Sequence, residues 1–409
     1  YSVTPEVEPF AHFVVVRRDL PLGLMMAQVI HAAGESSPGH LPPGTHAIAL
    51  AVADEPALAA LEARLRLALG DKSGAEATHQ ALSQVESLYN ELTGQDLSTQ
   101  LNSLFASFSS LQTDPTETTT RDLVVSSAGA VVSTFKRLRS GLLGQVNDLN
   151  ASVGQLTNKA NQIASEVARL NQQIVTSEAR SPGGASGLRD RRDSLLRDLG
   201  QVVEIQTREQ DNGVVNVYVG SEPLVDFSRS RGLTTRTQLK DGLERVTVRF
   251  ADNGGSVVLR GGQLGATVEA RDTHLVDQLA KLDQLAGALI YEVNRAHTQG
   301  AGLVGFTEAT GTYAAKDPAA VLNSTAAGLT FPVQNGTFLV HLRDQATGQV
   351  TTRMIKVGLD GLNADDTTLN SLAAALSAVP HVTASVTADN RLTFGMDAGY
   401  EITFSEDSS

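Results

Sequence analysis

The sequence contains no cysteine and no tryptophan. The first absence excludes disulfide frameworks, zinc–thiolate sites, iron–sulfur clusters and cysteine nucleophiles together. The second, with aromatic residues at only 4% of the chain, argues against an aromatic-lined pocket or a base-stacking surface. Basic charge is also short. Thirty-two Lys and Arg stand against 45 Asp and Glu, a formal net charge of -13, the wrong sign for a nucleic-acid binder or for attraction to an anionic membrane. No apolar run reaches about 18 residues, so no transmembrane helix is expected. Tyr1–Pro9 lacks the basic cluster of a secretory signal, and the opening on Tyr1 rather than methionine points to a fragment or a processed chain.

What is present is 409 residues with 41% hydrophobic content, more than the ~100 to 200 residues of one domain, with cores to be built from Ala, Leu and Val. Residues 11 to 70 read as a small α/β piece. Phe13–Val16 forms an apolar run, a helical stretch follows from Leu24 to Gly34, Thr45–Ala53 reads as a buried strand, and Pro56–Leu69 reads as a helix with Leu58, Leu61, Leu65 and Leu69 on one face. Gly70-Asp71-Lys72-Ser73-Gly74 is the expected junction.

Sustained helix follows from Glu76 to about Gly200. Leu97 to Leu111 recur at helical spacing and Asp114-Pro115 ends that helix. Val146, Val153, Ala160, Val167 and Ile174 then alternate with Leu149, Leu156, Ile163 and Leu170 as the a and d rows of a heptad pattern. A helix over Val132–Ile174 would be roughly 65 Å long. Its flanking positions, among them Asn150, Thr157, Ala164 and Asn171, carry little complementary charge, so the seam reads as packing within a bundle. The expected partner is a second helix, Leu264–Thr298, with Leu275, Leu279, Leu282, Ala286, Leu289 and Val293 in line. Strands are expected at Val214–Val219, Leu243–Phe250 and Ser256–Arg260. Beyond residue 300 the pattern is again β-rich, with strands at Thr337–Arg343, Val350–Val357, Val382–Thr387 and Arg391–Phe394 and one helix near Thr367–Ala378.

The fold class is therefore multidomain α+β: a long-helix bundle with β insertions and a β-rich outer domain, preceded by the small N-terminal α/β piece. The expected domains are 1–70, then an elongated rod over 76–300 with a β insertion at 202–262, then a truncated outer domain over 301–409.

Catalytic templates are missing: the chain has no H-E-x-x-H, no G-x-x-x-x-G-K-[ST] and no G-x-S-x-G. Gly261-Gly262-Gln263-Leu264-Gly265 lacks the spacing and lysine of a phosphate loop and reads as a flexible entry to the second long helix. Arg189-Asp190-Arg191-Arg192-Asp193 reads as a solvated helix face with Arg189 and Asp193 as an i, i+4 pair. His297 sits in a helix last turn, where a structural role is expected. No cofactor, metal, nucleic acid or membrane partner is expected.

Residues 76 to 409 resemble the hook-associated proteins of the flagellar hook–filament junction. The resemblance rests on Leu101-Asn102-Ser103-Leu104-Phe105, Asn161-Gln162-Ile163-Ala164, Leu170-Asn171-Gln172-Gln173-Ile174, Leu188–Asp193, Val215–Val219, Gly262–Gly265 and Asn294-Arg295-Ala296-His297, in order. It implies a non-enzymatic structural subunit, exported through the flagellar type III apparatus with an export chaperone and used outside the cell. The implied partners are other copies in a ring and the hook-side and filament-side proteins. The terminal helices that drive assembly in that family lie outside this sequence. Residues 11 to 69 instead resemble the first half of a type two peptidyl-tRNA hydrolase, through Val14–Leu20 with Gly23, Ala27-Gln28 and His31-Ala32-Ala33. That resemblance implies Asp19, Gln28 and His31 near a catalytic site, although the family's lysine is absent from Gly23-Leu24-Met25 and the second half of its fold is not there. A peptidyl-tRNA hydrolase activity is one alternative; a helical adaptor or adhesin binding through the Val146–Ile174 seam is another.

Overall fold

A computed structural model describes residues 11–17, 46–52, 55–89, 96–180, 184–300, 302, 304–331, 333–361 and 366–409. Two compact units divide the chain, Tyr1–Ala280 and Lys281–Ser409.

In the first unit, strands β1 (Ala11–Arg17) and β2 (His46–Val52) pair in parallel, Ala11 with His46 through Arg17 with Val52. Helix α1 then runs unbroken over Glu55–Tyr89, through the glycine-rich stretch expected to be a junction. The glycines there make close approach possible. A Cβ on Gly70 would lie 2.7 Å from the carbonyl oxygen of Gly200, so the two helices touch backbone to backbone. Arg66, Gly70, Ser73, Gly74, Ala81 and Val85 form the buried stripe of α1. The leucine face expected to pack inward is the outer one, with Leu65 54% exposed. Small residues won the contact because they bring backbones together, which leucine forbids.

Helix α2 (Leu97–Thr113) starts on Asp96, whose carboxylate accepts the Thr99 N–H at 2.7 Å, and it stops at Asp114 as expected. Helix α3 (Thr118–Glu178) is the long rod, 61 residues, longer at both ends than the heptad pattern indicated. Its buried stripe runs Val131, Thr134, Leu138, Leu142, Val146, Leu149, Val153, Thr157, Ala160, Ala164, Val167, Asn171 and Ile174. Ala168 and Leu170 are buried beside it, and every residue of the expected a row, Val146, Val153, Ala160, Val167 and Ile174, lies in the core. Of the expected d row, Leu149 and Leu170 are buried and Leu156 and Ile163 are half-buried.

Against this rod pack helix α4 (Ser186–Val202), the antiparallel sheet of β3 (Gln206–Glu209), β4 (Val215–Val219), β5 (Glu222–Asp226) and β6 (Arg229–Ser230), and the ribbon of β7 (Leu233–Lys240) and β8 (Leu243–Phe250). The shared core contains Val153, Ala160, Val167, Leu199, Val202, Val217, Leu224, Val248 and Leu264, with Phe250 its one large aromatic. Ser256–Arg260, expected as a strand, makes only an isolated bridge from Ser256 to Arg249. The second long helix is three joined pieces: α5 (Gly262–Glu269), a π-helical turn (Ala270–Leu275) and α6 (Val276–Thr298). The first two pack on α3. Gly262, at φ +68°, starts this helix against the backbone of Val202 and Val203, so the expected flexible entry is a packed joint where a side chain would clash.

The second unit holds two three-stranded antiparallel sheets. One has β11 (Val350–Val357), β10 (Gly336–Asp344) and β14 (Tyr400–Ser405) in that order; the other has β12 (Val382–Val386), β13 (Leu392–Met396) and β9 (Glu308–Thr310). Helix α7 (Leu369–Ser377) packs on β12 and opens with a capping box between Thr368 and Ser371. Val340, Ile355, Leu376, Val379, Val382 and Ile402 form the core, with Phe338 and Phe394 flanking Phe404 at centroid distances of 6.1 and 5.5 Å. No helix among the described residues is long and apolar enough to cross a membrane.

Candidate functional site

Among the described residues no three metal-binding side chains converge. Asp19, Gln28 and His31 lie outside the described residues. What the structure does concentrate is a row of polar anchors along the rod. Asn150, Asn161 and Asn171 are spaced eleven and ten residues apart, about three turns each, and so share one face of α3. Each carries one acceptor and one donor group, the same pair that a strand backbone presents.

The Asn150 amide donates to the Glu244 carbonyl at 2.8 Å and accepts the Val246 N–H at 3.0 Å. Asn161 donates to the Leu233 carbonyl at 2.8 Å and accepts its N–H at 2.6 Å. Asn171, fully buried, donates to the carbonyls of Val215 at 2.9 Å and Phe227 at 2.7 Å, and accepts the Val215 N–H at 3.2 Å. The helix thus substitutes for a missing strand at three points. Asparagine is a poor helix former, and three of them recurring at whole-turn spacing inside a long helix is the signal that could have exposed the anchors in the sequence.

Buried arginines complete the joints. Arg271, on the π-helical turn and 1% exposed, donates to the Asn150 side-chain oxygen and the Val246 carbonyl, both at 2.7 Å, and grips Asp272 with Nε and Nη2 at 2.8 and 3.0 Å. Arg192, also buried, donates to the Gly213 carbonyl at 2.7 Å. Neighbouring Asp193 has its carboxyl pushed above the ordinary range by burial, against the pull of Arg192. Arg189 does not bond Asp193 as the helix spacing suggested. It holds Glu178, at the end of α3, through two bonds of 2.9 and 2.8 Å, and Glu209 on β3 at 2.7 Å. The Arg189 hydrogen bonds keep the Glu178 carboxyl below its ordinary value. The charged cluster is a joint between elements because Arg189 and Arg192 reach β3 and the β3–β4 turn, while Arg191 reaches Glu166 on α3 at 3.1 Å.

Arg231 forms a similar joint: it bonds Asp252 at 2.7 Å and Glu222 at 2.9 Å, and lies 4.3 Å from the centroid of the Phe250 ring. Its hydrogen bonds hold the Asp252 carboxyl low. His297 stands in the last turn of α6, as expected. The chemistry of the anchor row and its arginine joints is mechanical, since these groups bind backbone or a counter-charge; His297 stands apart from them and lines an apolar cavity of about 490 Å³ with Phe306, Leu329 and Phe338.

The family model described as flagellar hook-associated protein FlgK helical domain matches residues 82–312, which take in the whole anchor row. The chain belongs to the FlgK family of flagellar hook-associated proteins. Family members are structural components of the bacterial flagellum, not enzymes. Flagellar hook-associated protein 1 of Escherichia coli K12 is 27% identical over 245 residues, covering 58% of this chain and 44% of that protein. The Bacillus subtilis protein of the same name is 31% identical over 135 residues, 32% of this chain and 26% of its own length. Among solved structures, the flagellar hook junction protein FlgK from Burkholderia pseudomallei superposes with a TM-score of 0.52 at 19% identity, covering 84% of this chain and 62% of that one. That likeness carries the α+β multidomain fold. The match to the E. coli relative spans less than half of its length.

Proposed function

We propose that this chain is the core of a structural subunit at the flagellar hook–filament junction, working by packing against copies of itself in a ring and against hook-side and filament-side proteins. The observation that carries this reading is the family match over residues 82–312, because the matched region contains the 61-residue helix α3 with its β elements anchored onto it. Export through the flagellar apparatus with a chaperone, and a place outside the cell, belong to the same proposal. So does the three-part division, with a rod over 76–300, an outer domain over 301–409 and a separate origin for 1–70. Immunogold labelling of isolated flagella from the source organism, with antibodies raised against this chain, tests it. Label confined to the boundary between hook and filament is expected; label along the filament, or none, overturns the proposal.

One observation favours a second role for the N-terminal piece. β1 and β2 pair in parallel and α1 follows directly, the strand–helix arrangement that an α/β hydrolytic half-domain requires. In this second reading Asp19, Gln28 and His31 act on peptidyl-tRNA. Release of the peptide by the purified chain, lost on His31→Ala, is the outcome it needs; no turnover removes it.

A further inference from the structure

The β7–β8 ribbon has two edges that the chain treats differently. On β8 the outward groups alternate. Glu244 gives its carbonyl to Asn150, Val246 gives its N–H to Asn150 and its carbonyl to Arg271, and the Val248 carbonyl accepts the Val257 N–H. The Phe250 N–H and carbonyl are taken by Gly255 and Gly254. Most of that edge is closed, at one or both outward groups of each of these four residues. The register pairs these residues with Leu239, Thr237, Thr235 and Leu233 on β7, whose N–H and carbonyl groups face the opposite way. Leu233 is taken by Asn161. Thr235, Thr237 and Leu239 have no partner for their outward groups among the described residues, and seven of the eight β7 residues are exposed, Leu239 at 75%.

The open stretch has no proline and no bulge, two of the devices that ordinarily keep a long edge from pairing, and its only such protection is the charge of Arg236 and Lys240. Three of its residues are threonine, and a two-stranded ribbon gains most from added strands. Its charges select a partner. With Thr237 on a two-fold axis, an antiparallel second copy of β7 sets Thr235 opposite Leu239, Arg236 opposite Gln238 and Thr234 opposite Lys240. The adjacent registers that keep outward groups facing one another place Arg236 against Arg236 or against Lys240, which like-charge repulsion disfavours.

We infer that the open edge of β7 binds the same edge of a second copy of this chain, joining two ribbons into a four-stranded antiparallel sheet with Thr237 at its centre. The contact makes about six backbone hydrogen bonds over a small area, so it is reversible rather than permanent. It is two-fold, whereas ring contacts run head to tail, so it is a state of the unassembled subunit that covers an aggregation-prone edge before incorporation. Its failure would leave the ring proposal untouched.

The absence of cysteine supplies the test. In the paired sheet the two Thr237 Cα atoms lie about 5.5 Å apart, within disulfide reach. Thr237→Cys in the full chain, under mild oxidation, is expected to form covalent dimer at least about tenfold faster than Lys72→Cys on the exposed face of α1, because pairing raises the local thiol concentration. Adding Thr237→Cys chains to a mixture of Thr235→Cys and Leu239→Cys chains is expected to leave the 235–239 mixed dimer as the other favoured product. Sedimentation of the unsubstituted chain is expected to show a concentration-dependent dimer that Thr237→Pro, which removes an outward N–H, abolishes. Equal cross-linking rates at residues 237 and 72, or a dimer indifferent to Thr237→Pro, would overturn the inference.

Discussion

The β elements of the first unit add side-chain anchors at their edges to the apolar faces they pack on the rod, and those of the second are held by their faces. In the first unit, β4, β7 and β8 dock through Asn171, Asn161 and Asn150, with Arg271 and Arg192 closing what the asparagines leave. In the second, the sheets meet through Val340, Ile355 and Ile402 and through the rings of Phe338, Phe394 and Phe404. The difference follows from strand supply. Small sheets attached to a rod expose edges that only side chains from the rod can satisfy, and a buried backbone group left unmatched costs about 1 to 3 kcal/mol. A unit with six strands in two sheets instead buries apolar faces and lets its edges meet water.

The largest test is at Arg271. Arg271→Ala is expected to cost about 3 to 5 kcal/mol, since it strips the Val246 carbonyl and the Asn150 oxygen of a buried donor and leaves a cavity. Hydrogen exchange at β8 should accelerate while the strands of the second unit keep their protection. Arg271→Met keeps most of the volume. If it restores native exchange, the joint is packing rather than polar satisfaction, and the contrast between edges and faces fails at that position.

A paired experiment comes next. Asn171→Ala is expected to cost about 2 to 4 kcal/mol, and Asn171→Leu to recover little of it because neither Val215 nor Phe227 regains a partner. Ile402→Ala should cost about 2 to 5 kcal/mol, and Ile402→Val only about 1. Chemical denaturation of the four variants checks the pattern; rescue of position 171 by leucine would erase the distinction. Gly70→Ala, which brings a methyl group against the Gly200 carbonyl, is expected to cost about 1 to 3 kcal/mol, read as a lower melting temperature.

The rod was legible because its apolar residues recur over many turns, and so were β8 and β11, where sequence expectation and structure coincide at Leu243–Phe250 and Val350–Val357. β7 was not. Its eight residues are almost wholly exposed, so no apolar alternation marks them. β14 was missed although Tyr400-Glu401-Ile402-Thr403-Phe404-Ser405 alternates apolar and polar residues; in the fold Glu401 and Ile402 are both buried. The stretch Gly70–Gly74 is helix where its glycines suggested a break, for a related reason: glycine signals a turn in isolation, and only the facing backbone of Gly200 turns it into a contact. The anchors stayed hidden because their partners lie 44 to 96 residues away and are backbone groups, which carry no sequence signature.

The smallest expected effect separates the two units by acid. Glu178 and Asp252 in the first unit have carboxyls held low by Arg189 and Arg231, and Asp344 and Asp389 in the second are held low by the Thr347 and Ala346 N–H groups and by the Thr387 hydroxyl. A folded-state value below the unfolded one gives stability that is present above about pH 4, the ordinary carboxylate range, and is lost as pH falls through the folded value. Asp193, raised by burial, runs the other way: its contribution is complete below that range and lost as pH rises through its folded value. The lost links differ in kind. Glu178 and Asp252 join separate elements, whereas Asp344 and Asp389 close their own turns. As pH falls below about 4 and through the lowered folded-state values of these carboxylates, exchange at β3 and at the β8 end of the ribbon should therefore rise before exchange in β10 and β13. Glu178→Gln should flatten that response at β3. A profile unchanged by Glu178→Gln would show that the Arg189 joint bears no load in the acid transition.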